Sequence, residues 1–362
     1  MEQVAKRLGL SSKLEQVGLD SPNDVLIKTV GELQKLLNTN EAAILELFQA
    51  AAMELYPWKT KRQSINNTNS AETVPVDNEV IDRILGGGFP LGSVTEVVGE
   101  SSSGKTQLCL QLCLSVQKPD IPCSGGAVYI HSEGQLPTVR LDQLAHAYGQ
   151  KYNMDPNTLK RTIHTMHIKD REMQYRVLCY QLPVLLARRK NIRVVVIDSI
   201  SAPYRGDNTV NNNDRFERIN EICDIGSRLK RIAYEHNVAV VVINQVSDTV
   251  VTSTTSSDII KNISNNRNGH GPPDELLASW MDFNLEGFDK SPLSVFWTSL
   301  TKKPVLGKSW ATSVTTRIRL ARSIMTDMAR TRRALFVEFS PLVPRHGCEI
   351  VIDDVGVRGR VP

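Results

Sequence analysis

The sequence predicts an α/β protein: a mostly parallel sheet with helices on both faces and an antiparallel C-terminal extension, preceded by a small helical domain. From residue 76 onward, short β-branched runs alternate with amphipathic segments, which is typical of a parallel sheet covered by helices. The runs 194–197 and 238–243 are aliphatic throughout, as expected for strands buried on both faces. The last three predicted strands have no helix between them, which predicts antiparallel pairing at one edge of the sheet.

Residues 1–56 predict the small helical domain. They carry five Lys or Arg and eight Asp or Glu, a net charge of −3, whereas the whole chain has +4. Ser21 before a proline and Asn40 before a glutamate are helix-start signals. The predicted helices are 12–18, 22–28, 30–37 and 41–55. Residues 57–75 are polar and lack periodicity, so we expect a linker there.

The second predicted domain comprises residues 76–362. Its predicted elements are, in order, strand 93–98, helix 104–117, strand 127–131, helix 137–150, helix 172–189, strand 193–197, helix 214–236, strand 238–243, a long loop insertion at 247–303, and strands near 312–320, 333–339 and 348–353.

The composition excludes several classes of protein. With 41% hydrophobic residues the chain can bury a full core, and no apolar run approaches the roughly 20 residues of a membrane helix. The first residues contain no apolar stretch, so we expect neither a secretory signal nor membrane association. The six cysteines form no CxxC pair, which favours buried thiols in a reducing compartment over disulfides or a zinc site.

Residues 99–106 read GESSSGKT and match the phosphate-binding pattern GxxxxGK[ST] in full. A predicted strand precedes the motif and a predicted helix follows it, so its backbone N–H groups can surround a phosphate at a helix N-terminus. Lys105 would reach the β- and γ-phosphates, and the Thr106 hydroxyl would ligate Mg²⁺. The predicted nucleotide-binding residues here are Gly99, Glu100, Ser101, Ser102, Ser103, Gly104, Lys105, Thr106 and Gln107.

Three more strand ends carry polar residues. Asp198 closes an aliphatic run about 90 residues after the motif, where a carboxylate can organise Mg²⁺. Glu133 follows another strand, and a carboxylate there can activate the attacking water, although an ordinary solvated acid is the alternative. Asn244 and Gln245 close a fourth run, and an amide at that place can sense a γ-phosphate.

In their order along the chain, these strand ends resemble those of RecA-type recombinases of the eukaryotic Rad group. The resemblance covers about residues 75–360, and it includes the lead-in segment VDNEVIDRILGGGFPLG and the segment PVLGKSW at 304–310. The segments FPLG, IDSISAPYRGD and VGVRG are more similar to the recombinase paralogues of the X-ray-repair cross-complementing type, and their yeast counterparts, than to the strand-exchange recombinase. The resemblance implies a RecA-like P-loop ATPase core.

The resemblance also implies roles for individual residues. Glu133 takes the place of the catalytic glutamate and Gln245 that of the γ-phosphate sensor, so Glu133, Lys105 and Gln245 form the predicted catalytic set. Arg140 lies where the family places an arginine against the adenine base; an ordinary surface arginine is the alternative. Thr106 and Asp198 are the predicted metal ligands.

The implied function is that of a DNA-dependent ATPase, using ATP and Mg²⁺, in double-strand-break repair by homologous recombination in the nucleus, with a cytoplasmic pool possible. Its implied partners are another recombinase paralogue as obligate hetero-partner, the strand-exchange recombinase, and single-stranded or branched DNA. One alternative is a self-sufficient strand-exchange recombinase that forms its own filaments. A small-molecule kinase with the same phosphate loop is a more distant one.

Two segments fall where such recombinases hold single-stranded DNA. Residues 205–214 contain one arginine and two acids, and residues 247–303 contain seven acids against five bases. Binding through phosphates scales with the cations engaged, so we expect the isolated chain to bind DNA weakly and partners to supply most contacts. The five aromatic residues of the second segment, from Trp280 to Trp297, suit three roles equally well: partner docking, base stacking or packing on their own domain.

Overall fold

The computed structural model describes residues 1–55, 72–205, 212–247, 284–286, 293–323 and 331–360. The chain divides into two compact units, Met1–Ser70 and Ala71–Pro362. Most of the predicted linker, residues 57–71, lies outside the described residues, as do most of the predicted loop insertion 247–303 and residues 206–211.

The first unit is a helical module. Its helices are α1 (Glu2–Arg7), α2 (Ser11–Val17), α3 (Pro22–Leu26), α4 (Val30–Leu37) and α5 (Glu41–Leu55). Ser21 caps α3, because its hydroxyl accepts from the Asp24 N–H while the Asp24 carboxylate accepts from the Ser21 N–H. Asn40 caps α5 through the Ala43 N–H at 2.8 Å. The apolar faces meet in a core that includes Leu33, Leu37, Ile44, Leu47 and Ala51.

The second unit is an α/β domain. Its helices are α6 (Glu79–Ile84), α7 (Lys105–Ser115), α8 (Thr138–Tyr152), α9 (Pro156–Arg161), α10 (Arg171–Arg176), α11 (Leu182–Arg188), α12 (Asn212–His236), α13 (Trp297–Leu300) and α14 (Gly307–Ala311). Its strands are β1 (Thr73–Val74), β2 (Phe89–Pro90), β3 (Val94–Gly99), β4 (Gly126–His131), β5 (Ile163–His167), β6 (Ile192–Asp198), β7 (Ala239–Ser247), β8 (Asn284–Glu286), β9 (Lys303–Pro304), β10 (Thr316–Arg322), β11 (Arg333–Phe339), β12 (His346–Asp353) and β13 (Gly356–Gly359). No helix in the described ranges is long and apolar enough to span a membrane.

An 11-stranded sheet organises this unit, with the order β13-β12-β11-β10-β3-β7-β6-β4-β5; β8 pairs with β12 and β9 with β7. The pairs from β10 through β3, β7, β6 and β4 to β5 are parallel. Successive strands from β10 to β13 pair antiparallel with one another, which confirms the predicted C-terminal extension. The carboxyl ends of β3, β4, β6 and β7 therefore lie at one edge of the sheet.

Two apolar layers cover the two faces of the sheet. Alternate side chains of β6 belong to different layers: Val194 and Val196 pack with α7 and α8, and Val195 and Ile197 pack with α11 and α12. This arrangement explains why the strand is aliphatic throughout, since neither of its faces meets water. Five of the six cysteines are buried and all six are free thiols, while Cys223 is exposed.

Several elements differ from the prediction. Among those not predicted are α1, α6 and β13, and the described part of the predicted loop 247–303 contains β8 and α13. The helix predicted at 172–189 is interrupted by a π-helical turn at Val177–Gln181, just before Pro183, which has no N–H to donate. The helix α9 was not predicted, although Asp155 caps it through the Thr158 N–H at 2.9 Å. The strand β5 also escaped prediction, because the sequence IHTMH has few aliphatic residues and lies at the sheet edge, where it pairs only with β4 in the described residues.

A buried polar network crosses the centre of the sheet. The Glu96 carboxylate is fully buried, accepting from Arg317 Nε at 2.5 Å and from Asn244 Nδ2 at 2.8 Å. Burial raises the pKa of Glu96, and the Arg317 guanidinium opposes that shift. Arg317 also pairs with Glu338 at 3.6 Å. The network joins β3, β7, β10 and β11 and contains the residue that precedes Gln245.

Breaking this network on one side should destabilise the domain strongly. In Arg317→Met the Glu96 carboxylate keeps its burial but loses its cation, and we expect the free energy of unfolding to fall by about 3–5 kcal/mol. Urea denaturation of the full chain measures the change. Arg161→Met, at an exposed surface position, should change stability by less than about 0.5 kcal/mol.

The double variant Glu96→Gln/Arg317→Met removes both charges and should lose less than Arg317→Met alone. A single variant as stable as the natural protein would contradict the importance of the network.

Candidate nucleotide-binding site

A cleft of about 550 Å³ opens where the carboxyl ends of the parallel strands meet. The register of the strands determines which residues lie at the cleft, because Gly99 is paired with Gln245 and Asp198 with His131. Ten of the thirteen predicted site residues line the cleft: Ser101, Ser102, Gly104, Lys105, Thr106, Gln107, Glu133, Arg140, Asp198 and Gln245. The other three, Gly99, Glu100 and Ser103, are buried at the same loop.

The loop between β3 and α7 requires its glycines. Gly104 has φ +108°, and a Cβ there would lie 2.7 Å from Ile352 Cδ1. A Cβ on Gly99 would lie 2.3 Å from the carbonyl oxygen of Leu320. Neither position has room for a side chain. Glycine at both positions therefore allows the loop to turn tightly and to present the first residues of α7 to the cleft.

Lys105 is the first residue of α7, and its side chain is largely buried. Its ammonium group donates to the carbonyl oxygens of Gly99, at 2.8 Å, and Glu100, at 2.6 Å. Burial lowers the pKa of Lys105 to about 8, although the charges of Asp198 and Glu133 oppose that shift. The amine is thus held inside the loop by neutral acceptors, which an anion in the cleft could replace.

Asp198 lies at the end of β6, next to the start of α7. Its Oδ2 atom accepts from Thr106 Oγ1 at 2.7 Å and from Tyr129 OH at 2.6 Å. Burial raises the pKa of Asp198, and these two hydrogen bonds oppose the shift. The two predicted metal ligands are therefore in direct contact.

This pair suits Mg²⁺, which prefers hard oxygen ligands. One carboxylate and one hydroxyl leave most of an octahedral shell to be filled, and phosphate oxygens and water are the usual remaining ligands of Mg²⁺. The donor chemistry therefore fits a metal bound together with a nucleotide.

The Glu133 carboxylate is surrounded by donors. It accepts from Ser199 Oγ at 2.7 Å and from the guanidinium of Arg205, and both of its oxygens contact Gln245 Nε2, at 2.8 and 2.6 Å. The predicted base and the predicted phosphate sensor are therefore direct neighbours.

Arg140 forms part of the wall of the cleft. Its Nε donates to Gln107 Oε1 at 2.6 Å, and its Nη2 donates to the carbonyl oxygen of Asp353 at 2.5 Å. These contacts fix the guanidinium between α7 and the end of β12. Contact with an adenine base stays a prediction for this residue.

The side chain of Glu100 is not part of the described cleft lining. It pairs with Arg322 at 3.0 Å and with Lys302 at 3.4 Å. Glu100 can therefore contribute only its backbone to phosphate binding, while its carboxylate ties the loop to β10 and to the segment before β9.

Sequence reasoning missed several residues of the site. Arg333 lines the cleft and donates to the carbonyl oxygen of Ser102 at 3.1 Å; Ile352, Asp353 and Asp354 also line it. They come from the antiparallel extension, and no local pattern links them to the phosphate loop. The contact of Tyr129 could have been anticipated in part from the sequence, because a tyrosine in a buried strand needs a hydrogen-bond partner.

The family model described as Rad51 matches residues 71–273, just over half of the chain. This chain belongs to the Rad51 family. The matched range includes the phosphate loop and the ends of β3, β4, β6 and β7.

Curated relatives of this Rad51-family chain are DNA repair proteins by name. It is 29% identical to the DNA repair protein rhp57 of Schizosaccharomyces pombe, over 94% of each chain. It is 27% identical to the DNA repair protein XRCC3 of Mus musculus, over 99% of this chain and 97% of the relative. It is also 33% identical to the DNA repair protein RAD57 of Saccharomyces cerevisiae, over 62% of this chain and half of the relative.

The pKa of Lys105 generates a prediction for nucleotide affinity. A bound polyphosphate stabilises the charged amine, so the pKa of Lys105 must be higher in the complex than in the free protein. Affinity for ATP should therefore be constant below pH 8 and fall as the pH rises above about 8, by up to about tenfold per pH unit. Binding of a fluorescent ATP analogue between pH 6.5 and 9.5 measures this.

The matched control is Lys105→Arg, because a guanidinium stays charged throughout this range. The affinity of this variant for ATP should not fall above pH 8, whether or not it is weaker than that of the natural protein. The same pH dependence in both proteins would exclude Lys105 as its source.

Proposed function

We propose that this Rad51-family chain binds ATP and Mg²⁺ in the cleft at the ends of β3, β4, β6 and β7 and hydrolyses ATP slowly. We further propose that it acts in DNA repair by homologous recombination in the nucleus. The observation that carries the proposal is the contact of Thr106 with Asp198 beside the buried Lys105, in a loop whose two glycine positions have no room for a side chain.

Binding of the triphosphate falls to the phosphate loop. Lys105 would exchange the carbonyl oxygens of Gly99 and Glu100 for phosphate oxygens, and the N-terminus of α7 favours an anion. Thr106 and Asp198 would hold Mg²⁺, which neutralises charge on the phosphate oxygens when bound.

Hydrolysis needs a group that accepts a proton from water, and Glu133 is the candidate base. Its carboxylate lines the cleft and is about one-third exposed, so water can reach it. Gln245 contacts the same carboxylate and also lines the cleft, so its amide can exchange Glu133 for a phosphate oxygen.

The proposed biological role is that of a paralogue in a hetero-complex, which assembles or stabilises recombinase on DNA. Support comes from the relatives rhp57, RAD57 and XRCC3, which are DNA repair proteins by name. It also comes from the excess of acids in 205–214 and 247–303, which disfavours tight single-stranded DNA binding by the isolated chain. The proposed partners are another recombinase paralogue, the strand-exchange recombinase, and single-stranded or branched DNA.

Among the aromatic residues of 247–303, the structure describes the side-chain packing of Phe296. Phe296 is fully buried and packs edge-on against Phe336, with ring centroids 5.9 Å apart. Its side chain is therefore part of the domain core and is not available to stack on a base. Trp280, Phe283 and Phe288 lie outside the described residues.

Two variants separate binding from hydrolysis. Lys105→Ala removes a charged donor to phosphate and should weaken ATP binding about 10- to 100-fold. Glu133→Gln should keep ATP affinity within about twofold while turnover falls about 100-fold or more, since it removes only the base. Lys169→Ala and Glu172→Gln, exposed positions outside the cleft-lining set, are the matched controls.

Fluorescent-analogue binding and phosphate release measure the two quantities. Unchanged affinity in Lys105→Ala would contradict the binding site. A loss of affinity in Glu133→Gln as severe as in Lys105→Ala would mean that Glu133 is structural. Electron microscopy with ATP and single-stranded DNA tests the paralogue role, because continuous filaments of the chain alone would favour a self-sufficient recombinase.

A further inference from the structure

Glu133, the candidate base, accepts hydrogen bonds from several side chains. A carboxylate offers about four lone-pair sites, and three different side chains contact Glu133. Its Oε1 atom alone accepts from Ser199, Gln245 and Arg205. A base must offer a lone pair to water, and the lone pairs of Oε1 are already occupied by these donors.

The three donors do not have the same relation to the cleft. Gln245 lines it and can turn toward a bound phosphate, whereas Arg205 is not among the described residues that line it. Of these two donors, Gln245 is therefore the one placed to exchange Glu133 for a phosphate in the cleft.

The backbone that presents Arg205 is well anchored. Arg205 follows the 3-10 turn Ala202–Tyr204, in which Tyr204 is buried and donates to Glu221 of α12 at 2.8 Å. Arg171 pairs with the same carboxylate at 2.7 Å, and the guanidinium of Arg218 lies 5.2 Å from the centre of the Tyr204 ring. The position of the Arg205 backbone is thus set by α10 and α12.

We propose that Arg205 is a positioning residue that holds the Glu133 carboxylate in a low-activity arrangement, so that loss of this contact raises ATP turnover. The inference rests on the proposed role of Glu133 as the base. The guanidinium occupies a lone pair of Oε1 through a charge-assisted hydrogen bond, so this lone pair cannot accept from water, which slows general-base catalysis.

The test compares Arg205→Gln with Arg205→Lys and Arg231→Gln in the full chain. Arg205→Gln removes the charge, and kcat for ATP should rise roughly three- to tenfold, with KM and ATP affinity within about twofold of the natural values. Arg205→Lys keeps a cation that can still donate to Oε1 and should retain the natural kcat. Arg231→Gln removes an exposed arginine that pairs with Glu235 at 3.8 Å and should change nothing.

A double-mutant cycle ties the effect to the base. In the Glu133→Gln background, Arg205→Gln should no longer raise the residual turnover, because the carboxylate on which the arginine acts is absent. An unchanged or lower kcat in Arg205→Gln would overturn the proposal, as would an equal gain in the Glu133→Gln background.

Failure of this inference can be told apart from failure of the proposed function. A natural protein that binds no ATP, or a Glu133→Gln variant with undiminished turnover, would contradict the proposed function itself. Nucleotide binding and a slow Glu133→Gln variant, without a gain in Arg205→Gln, would contradict the role of Arg205 alone.

Discussion

The parallel register of β3, β7, β6 and β4 is the constraint on which the candidate site depends. It pairs Gly99 with Gln245 and Asp198 with His131, so four segments that are far apart in the sequence end at the same edge. Glu96 is buried in β3, before that edge, and accepts hydrogen bonds across the sheet from Arg317 and Asn244. A shift of one residue in this register would separate the phosphate loop from the side chains it needs.

Lys105, Asp198 and Glu133, the charged groups at the edge of the sheet, each have hydrogen-bond partners within the chain. Lys105 donates to loop carbonyls, Thr106 donates to Asp198, and Glu133 accepts from Gln245 and other donors. Each of these contacts uses a group that the proposed reaction needs for another partner. We expect nucleotide binding to exchange these contacts for contacts with the phosphates and the metal.

Much of the fold and site follows from local patterns, and the rest depends on contacts that no local pattern encodes. The phosphate loop and the strand ends at Glu133, Asp198 and Gln245 were predictable, because each is a short motif whose chemistry requires those residue types. Arg205 was assigned from the sequence to a DNA-binding segment, and its contact with Glu133 depends on two loops that meet only in the folded domain. The cleft wall from Arg333 and β12 was missed for the same reason, as was β5, whose edge position tolerates a polar sequence.

The most direct test of the central claim is a crystal structure of the chain with Mg²⁺ and a non-hydrolysable ATP analogue. The account predicts the triphosphate against the loop 99–106, with the Lys105 ammonium moved from the carbonyl oxygens of Gly99 and Glu100 to phosphate oxygens, and the metal beside Thr106 and Asp198. A nucleotide bound elsewhere, or one bound in the cleft while Lys105 keeps both carbonyl contacts, would contradict it.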